Sequence, residues 1–106
     1  MRQAEIYYKD EKAGILTQLD NGHFEYEYDH LWFTDSSKPS ISLTLPKTNK
    51  THKSPYLFPF FYNMLPEGTN KQVVCRHMKI DTDDYFGLLL TTARYDTIGA
   101  VTVKKI

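Results

Sequence analysis

Residues 20–28 constrain this chain more than any other stretch. Asp20-Asn21-Gly22 signals a turn, because Asn and Gly tolerate the positive φ that tight turns demand. Directly after it, Phe24, Tyr26 and Tyr28 alternate with His23, Glu25 and Glu27. A period of two puts the three rings on one face and the polar side chains on the other. The segment reads as a strand with one buried and one wet face.

The flanking residues extend the pattern. Residues 5–8 and 13–18 surround a polar turn at Lys9-Asp10-Glu11-Lys12, a hairpin signal. Residues 29–33 predict a short helical turn that buries Leu31 and Trp32. Residues 34–39 are a loop by composition. Ile41, Leu43 and Leu45 alternate with Ser40, Ser42 and Thr44, which predicts a fourth half-buried strand ended by Pro46. Residues 45–55 follow as a polar connection. Lys47 to Lys53 within it reads as a solvated loop, since Thr and Asn separate the charges.

The period then changes. Leu57 or Phe58, Phe61 and Leu65 recur at three- and four-residue spacing, and Pro59 is tolerated in a first helical turn. Thr69 with Gln72 fits a capping box for a second helix whose inner stripe is Val73, Val74 and His77 or Met78. Asp81 can cap a third helix, with Asp83 and Asp84 at its positive dipole end and Phe86, Leu89 and Leu90 on its apolar face. Residues 100–105 alternate as a closing strand. The expectation is one α+β domain over residues 1–106: a mainly antiparallel β-sheet with three short helices between the fourth and last strands.

Charge narrows the function classes. The chain has 13 Lys and Arg against 13 Asp and Glu, for a formal net charge of zero. No basic block tracks a phosphate backbone, so direct nucleic-acid binding is not expected. Cys75 is the single cysteine, which excludes an intrachain disulfide. No leader and no long apolar run are visible, so the expected compartment is the cytoplasm and no membrane partner is expected. Eight Tyr, six Phe and one Trp exceed what a small core needs, and some are expected at an interface.

Catalysis and metal binding need constellations that are absent here. There is no Gly-rich phosphate loop and no G-x-S-x-G elbow. His23, His30, His52 and His77 are spread apart. Cys75 and His77 are two apart, which turns them to different helix faces. Cys75 reads as structural and at least half-buried rather than catalytic. The run 81–84 starts like a calcium loop, but Phe86 stands at the glycine hinge and Thr92 at the twelfth position. Glu25 and Glu27 share a wet strand face, with no desolvation to separate their pKa values. Trp32, beside Leu31 and Phe33, reads as core before interface anchor. No catalytic, cofactor-binding or metal residue is therefore assigned, and binding remains as the function class.

Residues 59–68, PFFYNMLPEG, resemble the FFxNLLPEG-like segment in the N-terminal region of HipA-family serine/threonine kinase toxins. The resemblance covers nearly the whole chain. Residues 13–17 (AGILT) look like the second strand of the family's first hairpin, and His30-Leu31-Trp32 like its Trp-Leu turn. Residues 39–46 (PSISLTLP) look like its P-L-S-L-S-L-P strand. Phe86 to Leu89, then Ile98-Gly99-Ala100-Val101, resemble its F-x-L-L … G-A-V close. One departure is visible: residues 93–97 are one longer than the family's Gly-Arg-Asp-like turn and lack its glycine, so Asp96 maps better than Arg94.

The resemblance implies a small subdomain that packs on a kinase, and the expectation is that it stands here without its kinase core. Free-standing versions resemble the HipS antitoxin of HipB–HipS–HipT modules. The implied partners are a HipT-like serine/threonine kinase toxin and a HipB-like DNA-binding protein. The implied partner-binding residues are Tyr62, Asn63, Met64, Leu65, Pro66, Glu67 and Gly68, with Asp96. Met64 and Leu65 are read as apolar anchors, though Phe61 and Leu65 fit a core role equally well. A subunit that completes or activates the kinase without inhibiting it is the alternative.

Overall fold

The computed structural model describes residues 1–65, 68–81, 83–92 and 101–106, without the side chains of residues 68–70 and 92. Strands β1 (Arg2–Tyr8), β2 (Glu11–Gln18) and β3 (Phe24–Tyr28) form consecutive hairpins. Helix α1 (His30–Thr34) follows, then β4 (Thr51–Ser54), α2 (Pro59–Tyr62), α3 (Gly68–Met78), α4 (Tyr85–Thr92) and β5 (Val101–Lys105). The five strands make one antiparallel sheet in the order β4-β3-β2-β1-β5. Among the described residues three helices lie between β4 and β5, so the α+β architecture is as expected.

Turn chemistry fixes the register. Tyr8 pairs with Glu11, leaving Lys9 and Asp10 as a two-residue turn with φ of 49° and 67°. Positive φ at both central positions is the type I′ geometry that matches strand twist. Gly22, at φ 86°, closes the second turn, where the Leu19 N–H donates to His23 O (2.8 Å). The β1–β2 register shifts between Ile6 and Tyr7: Ile6 faces Gly14 while Tyr7 faces Lys12.

On its other side Gly14 lies opposite Tyr28, in the unbroken β2–β3 register, at a close approach. A Cβ at Gly14 would lie 2.4 Å from Glu27 O and 2.5 Å from the Tyr26 hydroxyl. The missing side chain is the space Tyr26 occupies. Phe24, Tyr26 and Tyr28 are buried, as their alternation predicts, with Ala4, Ile6, Leu16, Val101 and Val103. Phe61 of α2 packs on Tyr26 (centroids 5.9 Å apart), and Phe86 of α4 on Phe24 (6.4 Å). Leu88 and Leu89 complete the cover. Trp32 is core: its ring lies 5.5 Å from Tyr8, and its indole N–H donates to Pro39 O (2.9 Å).

Several expectations are corrected. Residues 40–45 are turns, not a strand. The Tyr28 hydroxyl donates to Leu45 O and accepts from the Ile41 N–H (3.2 Å). Ser42 O takes the Leu45 N–H (3.1 Å) and curls the chain. Ile41 and Leu45 both reach the core, while Leu43 is 98% exposed. The fourth strand is instead β4, inside the expected polar connection. It pairs Lys53 with Glu25 and Thr51 with Glu27. Its THKS sequence carries no apolar alternation because it is a polar edge strand.

The helices differ in detail too. Leu31 is 77% exposed; only Trp32 of α1 is buried. In α3 the inner residues are Cys75 and partly Val74, while Val73, His77 and Met78 face outward. That helix begins at Gly68, which places Thr69 inside it and not at a cap; the Thr69 side chain lies outside the described residues. Lys79 ends it in the left-handed region (φ 55°), where the Ile80 N–H reaches Cys75 O (3.0 Å), a Schellman closure. The cap of α4 is Asp84, not Asp81. Its Oδ1 accepts from the Gly87 N–H (3.1 Å), while Asp81 caps only the preceding turn through the Asp83 N–H (2.9 Å).

Gly14→Ala should destabilise by about 3 kcal/mol, because the clash includes a strand carbonyl that cannot step aside; an unchanged denaturant midpoint would refute the close approach. The two buried tyrosines should behave oppositely. The Tyr26 hydroxyl has no hydrogen-bond partner among the described residues, whereas that of Tyr28 has two. Tyr28→Phe should cost about 1–3 kcal/mol by orphaning loop groups, and Tyr26→Phe should be neutral or stabilising. Equal losses by chemical denaturation would contradict the assignment.

Candidate protein-docking surface

Pro59 suits the start of helix α2, where the N–H it lacks would have no intrahelical partner. Phe58 precedes Pro59 with extended backbone, and its carbonyl accepts from the Phe61 and Tyr62 N–H groups at 3.0 and 2.9 Å. Tight turns continue beyond the helix: the Met64 N–H donates to Phe61 O and the Leu65 N–H to Tyr62 O, both at 3.1 Å. Four-residue spacing sends Phe61 and Leu65 inward, where both are buried. Tyr62 and Asn63 are left facing solvent, and Met64 packs half-buried at the core's edge.

Of the residues singled out from the sequence, the fold thus brings Tyr62, Asn63 and Met64 onto one accessible turn with Leu65 beneath. Gly68 opens α3. Pro66, Glu67 and Asp96 lie outside the described residues, as does Arg94.

Beside this turn is a cleft of about 330 Å³ that sequence reasoning did not anticipate. Phe24 and Leu57 line it from the core, Tyr56, Tyr62 and Tyr85 supply its aromatic walls, and Asp83 is its one charged side chain among the described residues. Tyr62 meets Tyr85 edge to face, with centroids 5.5 Å apart and planes at 83°. Tyr56 is 78% exposed and Tyr62 47%. Rigid aromatics are favoured anchors at protein interfaces. Nothing local in the sequence flags Tyr56, which lies in a short Pro-containing connection; only the pairing of β4 with β3 brings it beside Gly22 and Tyr85.

A network beside the cleft holds α4 in place. Arg2 donates to both Asp84 oxygens (3.1 and 2.6 Å) and, through Nε, to Gln18 (2.9 Å). Its guanidinium also lies 5.1 Å over the Phe86 ring. The hydrogen bonds from Arg2, with that of the Gly87 amide, hold the Asp84 carboxyl below its usual range against the opposing effect of partial burial. A Cβ at Gly87 would lie 2.4 Å from this carboxylate, so glycine leaves room for the cap to fold back. The β1 start is thereby fastened to the helix that carries Tyr85.

Among the described residues no group of three or more His, Cys, Asp or Glu could hold a metal, and none of their helices is long and apolar enough to cross a membrane. Cys75 is free and buried.

The family model of the HipA N-terminal domain matches residues 4–104. The chain belongs to the HipA N-terminal domain family. A solved structure described as the N-terminal domain of HipA toxin superposes with a TM-score of 0.74 at 26% identity, covering 100% of this chain and 93% of that one. A Haemophilus influenzae protein described only as uncharacterized is 29% identical over 106 residues, covering 99% of this chain and 93% of its own length. The putative kinase Y4dM of Sinorhizobium fredii is 31% identical over 99 residues, covering 88% of this chain. The chain spans 24% of the length of that kinase. The match is therefore to the HipA N-terminal domain and not to a kinase domain.

The Asp84 link makes stability pH-dependent in a definite direction. A carboxyl held low in the folded state stabilises above its unfolded pKa of about 3.9, and the contribution is lost as pH falls through the lower folded value. Below about pH 4 the denaturation midpoint should fall, and part of that slope should vanish in Asp84→Asn. Asp20 and Asp35, also held low, by the chain's amino group and by Ser37, keep their share in that variant. Identical profiles for the two proteins would show that Arg2 does not grip Asp84 in solution.

Proposed function

We propose that this HipA N-terminal domain is an antitoxin that binds and inhibits a HipT-like serine/threonine kinase toxin in trans. It docks where that kinase lacks its own N-terminal subdomain. It catalyses nothing itself, works in the cytoplasm, and shares a complex with a HipB-like DNA-binding protein. The contact is made by Tyr62, Asn63 and Met64 on the exposed turn, continues through Pro66, Glu67 and Gly68, and includes Asp96. Leu65 acts from beneath by holding the turn to the core.

The observation that carries this reading is the extent of the match. The likeness takes in 93% of the HipA N-terminal domain structure and 93% of a similarly short Haemophilus influenzae protein, while in Y4dM the corresponding region is about a quarter of a putative kinase. If this domain packs on the kinase that shares its chain, as the family resemblance implies, it has the surface to do so from a separate chain. The exposed turn of α2 supports it physically, because its backbone is already hydrogen-bonded and little ordering remains to oppose binding. A standard interface takes about 800 Å² from each partner, roughly an eighth of the 6649 Å² accessible here.

Co-expression with a HipT-like kinase should restore growth and yield a co-purifying complex. Tyr62→Ala and Met64→Ala should each weaken binding by about tenfold, the scale of an interface anchor, with Glu67→Ala tested beside them. Co-purification without growth rescue would replace inhibition with a structural or activating role. Affinity and inhibition unchanged in all three variants would remove this segment from the mechanism.

A further inference from the structure

We propose that the aromatic cleft between Tyr56, Tyr62 and Tyr85 receives an arginine side chain from the protein partner, with Asp83 as its counter-charge. The proposal deepens the docking reading, on which it rests for the partner's identity, but its chemistry stands on the cleft alone.

Four observations favour a cationic and planar occupant. The walls are tyrosine rings, whose faces attract cations. Lys71, which is not among the described lining, already sits with its ammonium 5.1 Å over the Tyr85 ring. The acids around the cleft are not equivalent. Asp84 is paired with Arg2, and the Asp81 carboxylate accepts from the Asp83 N–H. Asp83 is exposed and forms no ion pair among the described residues, yet it lines the cleft.

Finally, no lysine, arginine or histidine appears among the described lining residues; the cation beside them is Lys71, which an incoming guanidinium would displace from the Tyr85 ring. The backbone that presents Asp83 is fixed: its own N–H is bonded to Asp81, and its carbonyl accepts from the Tyr85 N–H at 3.1 Å.

Arginine suits this site better than lysine. A guanidinium stacks flat on a ring while its edge donates two hydrogen bonds to a carboxylate. The ammonium of lysine is more strongly hydrated and makes no planar contact. Arginine is also among the residues most enriched at interface anchors.

The test needs no kinase. The isotope-labelled protein is titrated with the capped peptide Ac-Gly-Arg-Gly-NH2, and the amide signals of Gly22, Tyr62 and Tyr85 are followed by NMR. Citrulline and lysine peptides serve as controls, since citrulline keeps the shape and loses the charge. Saturable shifts with a millimolar dissociation constant are expected for the arginine peptide, and the citrulline peptide should bind about tenfold more weakly. Asp83→Asn and Tyr56→Leu alter exposed positions and should each weaken the arginine peptide about three- to fivefold.

No saturable shift up to about 20 mM overturns the proposal. Citrulline or lysine binding as well as arginine also overturns it, as does a response unaltered by Asp83→Asn. If the arginine peptide binds but no kinase is captured, the docking reading fails and the cleft assignment stands. If a kinase is captured equally well by Asp83→Asn and Tyr56→Leu while the peptide fails to bind, the cleft assignment fails alone.

Discussion

The inner stripe of β3 is the contact on which the other elements depend. Tyr26 occupies the space left by Gly14 on β2 and packs against Phe61 on α2. Tyr28, two residues on, meets Tyr26 edge to face at 4.9 Å and holds both ends of residues 41–45 through one hydroxyl. Phe24 takes Phe86 of α4. Three alternating rings thus fix α2, α4 and an irregular loop against one sheet. Burial pushes both tyrosine pKa values upward, which keeps the phenols neutral and compatible with an apolar interior. Both α2 and α4 bring a tyrosine to the surface cleft, so the spacing of Tyr62 and Tyr85 is set from β3.

Legibility in the sequence follows this division. Elements whose buried face is written in their own residues could be read directly. Residues 24–28 needed only a period of two, and α2 only a three- and four-residue spacing after proline. The close approach at Gly14 was not legible, because it depends on how the Tyr26 ring of β3 lies across β2 once the two strands pair. Residues 40–45 misled for a physical reason. Alternation of Ile41, Leu43 and Leu45 with hydroxyl side chains suits a strand, but a long-range hydroxyl from Tyr28 and local bonds to Ser42 satisfy the backbone another way. Polar groups that can bond their neighbours compete with ladder formation. β4 was hidden for the converse reason: its hydrogen bonds are to β3, while THKS shows no apolar period.

The site was legible in part. The motif at residues 59–68 takes in the exposed turn beside the cleft, and the spacing of Phe61 and Leu65 separates core from exposed turn. The cleft was not readable, since its walls come from residues 56, 62 and 85 and its charge from residue 83. The choice of cap was equally hidden. Three aspartates within four positions can each begin a helix. Arg2, eighty-two positions away, singles out Asp84 by pairing with it, leaving Asp83 to face the cleft.

A docking segment and a core segment are usually different stretches of chain, because one must be exposed and the other hidden. In the proposed docking mode the same five residues, 61–65, serve both, and helical spacing makes that possible. Phe61 and Leu65 point inward, Tyr62 and Asn63 outward, and Met64 lies between. A turn held by its own core residues does not have to be ordered on binding. Affinity can then arise from few exposed side chains, since the conformational cost has already been met during folding. The converse also holds: a substitution at Phe61 or Leu65 would loosen the exposed turn without touching a partner. Binding losses at those two positions therefore report on preorganisation, whereas losses at Tyr62 report on contact. Only measurements that separate folded stability from affinity distinguish the two.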